Sequence, residues 1–546
     1  MQIVIPMSGI GQRFLDAGFN EPKPLIAVDG KPVIEHIVNM FPGETNFIFI
    51  CNSEHLQSTS MRETLERIAP QGKIIEVAPH KKGPVYAVSQ AFDHIDNNQE
   101  VIINYCDFCV YWKYEEFLSH TRNRKADGAV VAYRGFHPHM LGSTNYAFMR
   151  EKDQWMLEIK EKEPFTNNRM TEFASTGTYY FKSGKVMKET FIALMEMNHN
   201  LKGEYYVSLA FNLLVEKNYP VSIYEVQHML QWGEPGDLND YNMWSEYFRF
   251  ASDRKTIHGS VLDLDVIIPM AGLGSRFTQE GQNIVKPLIE VAGKPMVVQA
   301  AQAAPEGKNY IFICLKEHLE KFKLHKVLDS FFPTSQLVEL NEITDGQASS
   351  AEIGVHKLKE GRPFLILPCD SGIFLNQHED MILSSGSDII AFTFRATGSA
   401  LKNPQMYGWI RSQQGKITEV SVKKPFKISV ATDEVITGAF YFKDKKIFQK
   451  CLDHLRSKQI KINNEFYIDS FLKAAMELGL SAKSHVIDHF LCWGTPAELK
   501  SFEYWQSFFH KCSWHPYQIE TDPMIPSEKH NELKKRFSNF KQGESR

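Results

Sequence analysis

Near the start of the chain, Ser8-Gly9-Ile10-Gly11-Gln12-Arg13 has the residue types and spacing of a phosphate-binding loop. Two glycines let the backbone turn tightly and aim N–H groups at phosphate oxygens, and the arginine behind them can make a forked contact. Ten residues on, Lys23 lies in Pro22-Lys23-Pro24-Leu25, where the prolines fix the local backbone and reduce the entropy lost in presenting an ammonium. Asp107 follows an apolar run at 101–105. A carboxylate at the end of such a strand can hold Mg²⁺ whose other ligands are phosphate oxygens and water; capping of the next turn is the competing explanation. The loop lacks the third glycine of a dinucleotide-binding fingerprint, and no Gly-Lys-Ser or Gly-Lys-Thr follows, so both of those patterns fail on spacing.

The same residues occur twice. Laid on 264–295, residues 1–32 agree at 17 of 32 positions, where chance gives about two. Gly9, Gly11, Arg13 and Lys23 return as Gly272, Gly274, Arg276 and Lys286, and Ser8 is answered by Ala271, whereas Leu15, Asp16 and Ala17 are not repeated. The selective recurrence points to a requirement at those positions. An offset of 263 continues through Gly83 to Gly346 and Asp107 to Asp370, then becomes 261 for Lys162 to Lys423, Thr176-Gly177 to Thr437-Gly438 and Glu204 to Glu465. A period of about 260 residues is far beyond solenoid units, so each copy is a whole domain. The domains are expected at 1–255 and 262–512, divided in the polar stretch 251–260. The remaining 513–546, rich in Pro, Lys, Glu and Ser, reads as a loose C-terminal extension.

To position such loops, each copy needs strands that end where helices begin. Short Ile-, Val- and Phe-rich runs alternate with helical patterns in the first copy: strand 3–6, helix 33–40, strand 46–51, helix 55–68, strand 74–77, helix 85–94 and strand 101–105. This is the rhythm of a mostly parallel sheet with helices on both faces. Runs at 129–133, 146–149, 155–159 and 177–181 read as further strands that make the sheet mixed. With 43% hydrophobic and 23% charged residues, the 546-residue chain has globular composition. Lys plus Arg number 61 against 65 for Asp plus Glu, a net charge of −4 that offers no field for nucleic acid or an anionic membrane. Eight cysteines in apolar runs are too sparse for a disulfide framework, which fits a reducing, cytoplasmic setting. The start, MQIVIPMSGIG, has no basic region or h-region, and no apolar stretch approaches eighteen residues.

The Gly-x-Gly-x-Arg-Phe loop followed by Pro-Lys-Pro-Leu resembles the signature of the sugar nucleotidyltransferase superfamily. Each copy is similar to the single-domain capsule and lipopolysaccharide-type members that pair the loop with a Gly-Glu-aromatic-Tyr segment and a Trp-Gly ending. The resemblance covers residues 1 to about 250 and 264 to about 510. It implies two tandem Rossmann-like, GT-A-like α/β domains joining an NTP to a sugar 1-phosphate or related phosphomonoester, with Mg²⁺ as cofactor and no nucleic-acid or membrane partner. By that resemblance Ser8, Gly9, Gly11 and Arg13 would cradle the NTP phosphates and Lys23 would neutralise charge at the α-phosphate, with Ala271, Gly272, Gly274, Arg276 and Lys286 their equivalents. Gly83 and Gly346 would pack against base and ribose, and Asp107 and Asp370 would hold the metal. Glu161 would face sugar hydroxyls, Lys162 and Lys423 the acceptor phosphate, and Thr176, Gly177, Thr437 and Gly438 the acceptor pocket.

Several positions depart from that pattern. Glu161 has become Val422 in the second copy, which puts sugar selection there in doubt. Where a second metal-binding aspartate is usual, the chain has Gln231 and Cys492. Glu204-Tyr205-Tyr206 and Glu465-Phe466-Tyr467 recur without an assignable role. Cys106 and Cys109 form a CxxC beside Asp107, of which the second copy keeps only Cys369. A regulatory second half, and a nucleotide-sugar-dependent glycosyltransferase, are the alternatives; neither Asp107-Phe108-Cys109 nor Asp370-Ser371-Gly372 forms the DxD of the latter.

Overall fold

A computed structural model of the chain describes residues 1–143, 145–254, 261–375, 379–396, 398–427 and 433–538. Most of the linker expected at 251–260 lies outside the described residues. Two compact units are present, Met1–Ser245 with Lys511–His515, and Glu246–His510 with Pro516–Ser538.

In the first unit, Ile3, Val4 and Ile5 are wholly buried, an apolar run on both faces that suits a central strand covered by helices on either side. Strand Gln2–Met7 pairs in parallel with Phe47–Asn52 on one flank and Val101–Asn104 on the other. Both neighbours therefore end at the same edge, and this brings the loop after Met7 beside the turn that carries Asp107. The full order across the nine-stranded sheet is Lys73–Val77, Phe47–Asn52, Gln2–Met7, Val101–Asn104, Phe173–Phe181, Gly128–Tyr133, Val221–Glu225, Trp155–Glu161 and Ala147–Lys152. The sheet is mixed because Phe173–Phe181 runs antiparallel to both of its neighbours. A two-stranded ribbon, Phe108–Tyr111 with His228–Gln231, follows Asp107 directly.

The second unit has the same strand order: Gln336–Leu340, Gly307–Leu315, Leu262–Pro269, Phe364–Ile366, Glu434–Phe442, Ile389–Arg395, Ala482–Val486, Lys416–Val422 and Gly408–Gln413. Its ribbon is Ser371–Phe374 with His489–Cys492.

The single helix expected at 55–68 is two, Ser53–Ser58 and Met61–Ile68. Thr59 is extended, with its hydroxyl donating to the His55 carbonyl at 2.6 Å and accepting from the Met61 amide at 3.3 Å, a local bond pattern that competes with helix continuation. The pattern at 85–94 resolves into helix Pro84–Ser89 and a 3₁₀ turn Phe92–His94.

The segment after 515, expected to be loose, is packed within the second unit. Tyr517, Ile519, Leu533 and Phe537 are buried, and Lys529 and Arg536 pair with Glu290. An apolar subset hidden within a polar average makes this anchor. The Tyr517 hydroxyl donates to Asp522 at 2.9 Å and accepts from Gln506 at 3.0 Å. Tyr517→Ala is expected to lower stability by about 3–5 kcal/mol, as for other buried aromatics. Urea denaturation followed by a second-unit probe checks this; a change within about 0.5 kcal/mol would mean a loose tail.

Candidate functional site

At the carboxyl edge of the first sheet lies a cavity of about 390 Å³ walled by Ser8, Gly9, Gly11, Lys23, Gly83 and Asp107, with His80, Glu204 and Tyr206 completing it. Gly11 has φ 73° and ψ 33° where the loop enters the short helix Gln12–Asp16, the left-handed conformation that costs a residue with a Cβ most. Lys23 begins a 3₁₀ turn with Pro24 and Leu25 buried behind it, so the turn is fixed from below while the ammonium reaches the cavity. Its Nζ lies 3.0 Å from Asp107 Oδ2. Burial works against the lysine's charge, but the Asp107 carboxylate together with Cys106 and Glu234 raises the Lys23 pKa above its ordinary value.

Gly83 is required by close approach. A Cβ there would stand 2.7 Å from the Tyr205 amide nitrogen, and the Tyr205 amide and carbonyl bond to Lys82 O at 3.0 Å and Val85 N at 3.1 Å. Gly346 repeats the arrangement against the backbone of Phe466. The Glu204–Tyr206 segment, to which the sequence assigned no role, is therefore the clamp on this glycine, and Glu204 and Tyr206 line the cavity. Its recurrence as Glu465–Tyr467 was the available signal. Nothing in the second copy marks His80, where Ile343 stands; its Nε2 lies 3.2 Å from Ser8 Oγ.

Arg13 is outside these walls. Its side chain is 64% exposed and paired with Glu234. Glu161, Lys162, Thr176 and Gly177 are also absent from the first cavity's walls, although Lys162 Nζ donates at 2.7 Å to the hydroxyl of the wall residue Tyr206. Tyr206 in turn donates to Glu204 at 2.7 Å. Ser208 Oγ donates to Glu161 Oε2 at 2.6 Å, and burial raises the pKa of this carboxyl above the ordinary carboxylate value. Thr176 and Gly177 form a bulge opposite Gly128–Tyr133, with Thr176 Oγ1 donating to the Val131 carbonyl at 3.0 Å.

In the second unit a cavity of about 300 Å³ is walled by Arg276, Lys286, Asp370, Lys423, Thr437 and Gly438, among others. Ala271, Gly272, Gly274 and Gly346 are not in its walls. The first cavity thus opens toward the glycine loop and the second toward the residues expected at the acceptor. Lys286 donates to Asp370 as Lys23 does to Asp107. Burial would raise the Asp370 pKa, but the Lys286 ammonium holds it below the ordinary value. Lys162 and Lys423 both adopt positive φ, 60° and 59°, an uncommon conformation for lysine repeated at equivalent places.

Among the described residues no group of three or more His, Cys, Asp or Glu could hold a metal ion. Asp107 and the amide of Gln231 both face Gly233: a Cβ on that glycine would lie 2.8 Å from Asp107 Oδ2 and 3.1 Å from Gln231 Nε2. The equivalent point beside Gly494 is 2.8 Å from Asp370 Oδ2 and 3.3 Å from Cys492 Sγ. One hard carboxylate per unit fits Mg²⁺ that takes its other ligands from phosphate and water. The Cys492 thiol, pushed well above its ordinary pKa chiefly by burial, does not suit that ion.

The sequence matches the family model described as nucleotidyl transferase over residues 3–244 and again over 265–493. The chain belongs to the nucleotidyl transferase family, and it carries the family's domain in tandem. The bifunctional protein GlmU of Methanocaldococcus jannaschii is 25% identical over 189 residues, 34% of this chain and 41% of that protein, so the chain spans about two fifths of that relative's length. Among solved structures, the nucleoside-diphosphate-sugar pyrophosphorylase of Vibrio cholerae RC9 is 20% identical over 44% of this chain and 99% of its own, with a TM-score of 0.38. The inositol-1-phosphate CTP transferase of T. maritima is 15% identical over 45% of this chain and 96% of its own, with a TM-score of 0.35. No helix among the described residues is long and apolar enough to cross a membrane.

All eight cysteines are free, and burial pushes Cys106, Cys109 and Cys369 up to about 12. A redox CxxC needs a depressed thiol pKa instead. In the native protein at pH 8, iodoacetamide is expected to alkylate Cys106 and Cys109 at least about 10²-fold more slowly than in urea, measured by peptide mass spectrometry. Alkylation as fast as in the unfolded chain would restore the redox alternative.

Proposed function

We propose that each unit catalyses transfer of a nucleotidyl group from an NTP to a sugar 1-phosphate or similar phosphomonoester, releasing pyrophosphate. The observation that carries this is the Lys23–Asp107 pair in the wall of a cavity lined by a glycine loop, repeated by Lys286–Asp370 in the second unit. Family membership supports the reaction class, and the motifs of the single-domain capsule and lipopolysaccharide-type members favour surface-glycan precursors as the product.

On this reading an acceptor phosphate oxygen attacks the α-phosphorus in line. The bond to the bridging oxygen breaks, and the electron pair leaves with pyrophosphate. No protein nucleophile is needed, so catalysis consists of positioning two polyanions and offsetting their charge. Backbone amides of residues 8–12 receive the triphosphate, and the Lys23 ammonium turns from Asp107 toward the α-phosphate. Asp107, freed from that partner, together with bridging water would hold Mg²⁺, whose bound charge neutralises the phosphates. Arg13 leaves Glu234 for a phosphate oxygen. Lys162 approaches the acceptor phosphate along the Tyr206 hydroxyl. In the second unit Lys286, Asp370, Arg276 and Lys423 take the corresponding places.

The pairing of lysine with carboxylate before substrate arrives avoids an unpaired buried charge. Lys23→Ala combined with Lys286→Ala is expected to reduce pyrophosphate release about 10²–10³-fold, and each single substitution should lower turnover by that factor in its own unit only. A panel of NTPs with sugar 1-phosphates, assayed with Mg²⁺, provides the measurement. Full turnover in the double variant overturns the proposal.

A further inference from the structure

The two units differ at three positions that interlock in space. In the first, Glu161 pairs across the sheet with Ala147, and Ser208 donates to the Glu161 carboxylate at 2.6 Å. In the second, the equivalent residues are Val422, Gly408 and Asp469, with Gly408 and Val422 again cross-strand partners. The carboxylate lost from the strand at Val422 reappears on the opposing helix at Asp469, where the first unit has the serine that faced it. The glycine is what makes room. A Cβ at Gly408, such as Ala147 carries, would stand 2.4 Å from Asp469 Oδ2.

Asp469 lines the second cavity together with Lys423, Thr437 and Tyr467. It is buried, and no side chain among the described residues donates a hydrogen bond to it. Burial raises its pKa to about 6, against a lowering influence from the Lys423 ammonium. With only its own backbone amide as a donor among the described residues, a buried carboxylate that faces a cavity keeps acceptor capacity that a ligand can satisfy. A polyol hydroxyl is a donor of that kind, and the neighbouring ammonium suits the phosphate of the same molecule.

We propose that Asp469 is the acceptor-reading carboxylate of the second unit, a specificity-determining residue that accepts hydroxyl hydrogen bonds from a polyol phosphomonoester held by Lys423. This rests on the nucleotidyl-transfer reading above and deepens it: the second unit keeps polyol selection but reads it from the helix, so the two units distinguish acceptors by where the carboxylate stands. The competing role is purely structural, because Asp469 also opens the helix Asp469–Glu477, whose first turn favours an acidic side chain.

Calorimetric titration of the full chain carrying Lys162→Ala, which silences the first acceptor pocket, separates these roles. Glucose 1-phosphate, myo-inositol 1-phosphate and glycerol 3-phosphate are titrated in turn with inorganic phosphate as reference, and Mg²⁺ with UTP or CTP is titrated separately. Asp469→Asn, which keeps the shape and removes the charge, is expected to weaken the tightest polyol phosphate about 10- to 100-fold while leaving inorganic phosphate and nucleotide within about twofold. The triple variant Gly408→Ala, Val422→Glu, Asp469→Ser is expected to regain binding with the preference shown by the first unit. Equal weakening of polyol phosphate and inorganic phosphate, or no weakening of either, overturns the inference in favour of the helix-end role. Nucleotide binding without preference for any polyol phosphate over inorganic phosphate also overturns it while leaving the triphosphate site intact, whereas absence of nucleotide binding removes the nucleotidyl-transfer reading itself.

Discussion

An ammonium held against a carboxylate across a sheet edge is the contact on which each site depends. Lys23 and Asp107, and Lys286 and Asp370, are 84 residues apart in both units. Parallel pairing of Gln2–Met7 with Val101–Asn104, and of Leu262–Pro269 with Phe364–Ile366, brings them together. Neither charge is comfortable alone: burial opposes the ionised form of Lys23 and of Asp370, and the partner reverses that tendency. Removing one member would leave the other charge half-buried without its partner. A polyanion with its cation could separate the pair while leaving each member with a new partner, which makes the ion pair a reasonable resting state for the proposed site.

The residues that form this contact were legible in the sequence because duplication filtered them. Gly11, Lys23 and Asp107 persist while Leu15, Asp16 and Ala17 drift, and each persists for a reason visible in the structure: left-handed backbone, a fixed turn, and the end of a parallel strand. Gly83 was legible as a requirement, but not its cause, since the backbone that presses on it comes from Tyr205, 122 positions later in the chain. His80 left no signal because it has no counterpart. The helix break at Thr59 was hidden because a single hydroxyl between two compatible helical patterns decides it. The packed tail was hidden because Tyr517, Ile519, Met524, Ile525, Leu533 and Phe537, all buried, are diluted by lysines and glutamates.

Comparison of the units shows which parts of the fold are retained and which have diverged. The strand order, the Gly-clamp and the positive-φ lysines 162 and 423 are duplicated closely. The acceptor side is not: Glu161, Ala147 and Ser208 of the first unit are answered by Val422, Gly408 and Asp469 in the second. Divergence concentrated there is what two sites sharing one chemistry but differing in acceptor would require. Loss of Glu161 at Val422 looked in sequence like loss of selection. With Asp469 in place, it is better explained as relocation of a carboxylate.

Direct counting of nucleotide sites tests the central claim. Equilibrium titration of the full chain with non-hydrolysable NTP analogues and Mg²⁺ should give two equivalents per chain for the preferred base, one after Lys23→Ala or Lys286→Ala, and none after both. Binding that survives the double substitution unchanged, or no binding with any of the four bases, would contradict the account.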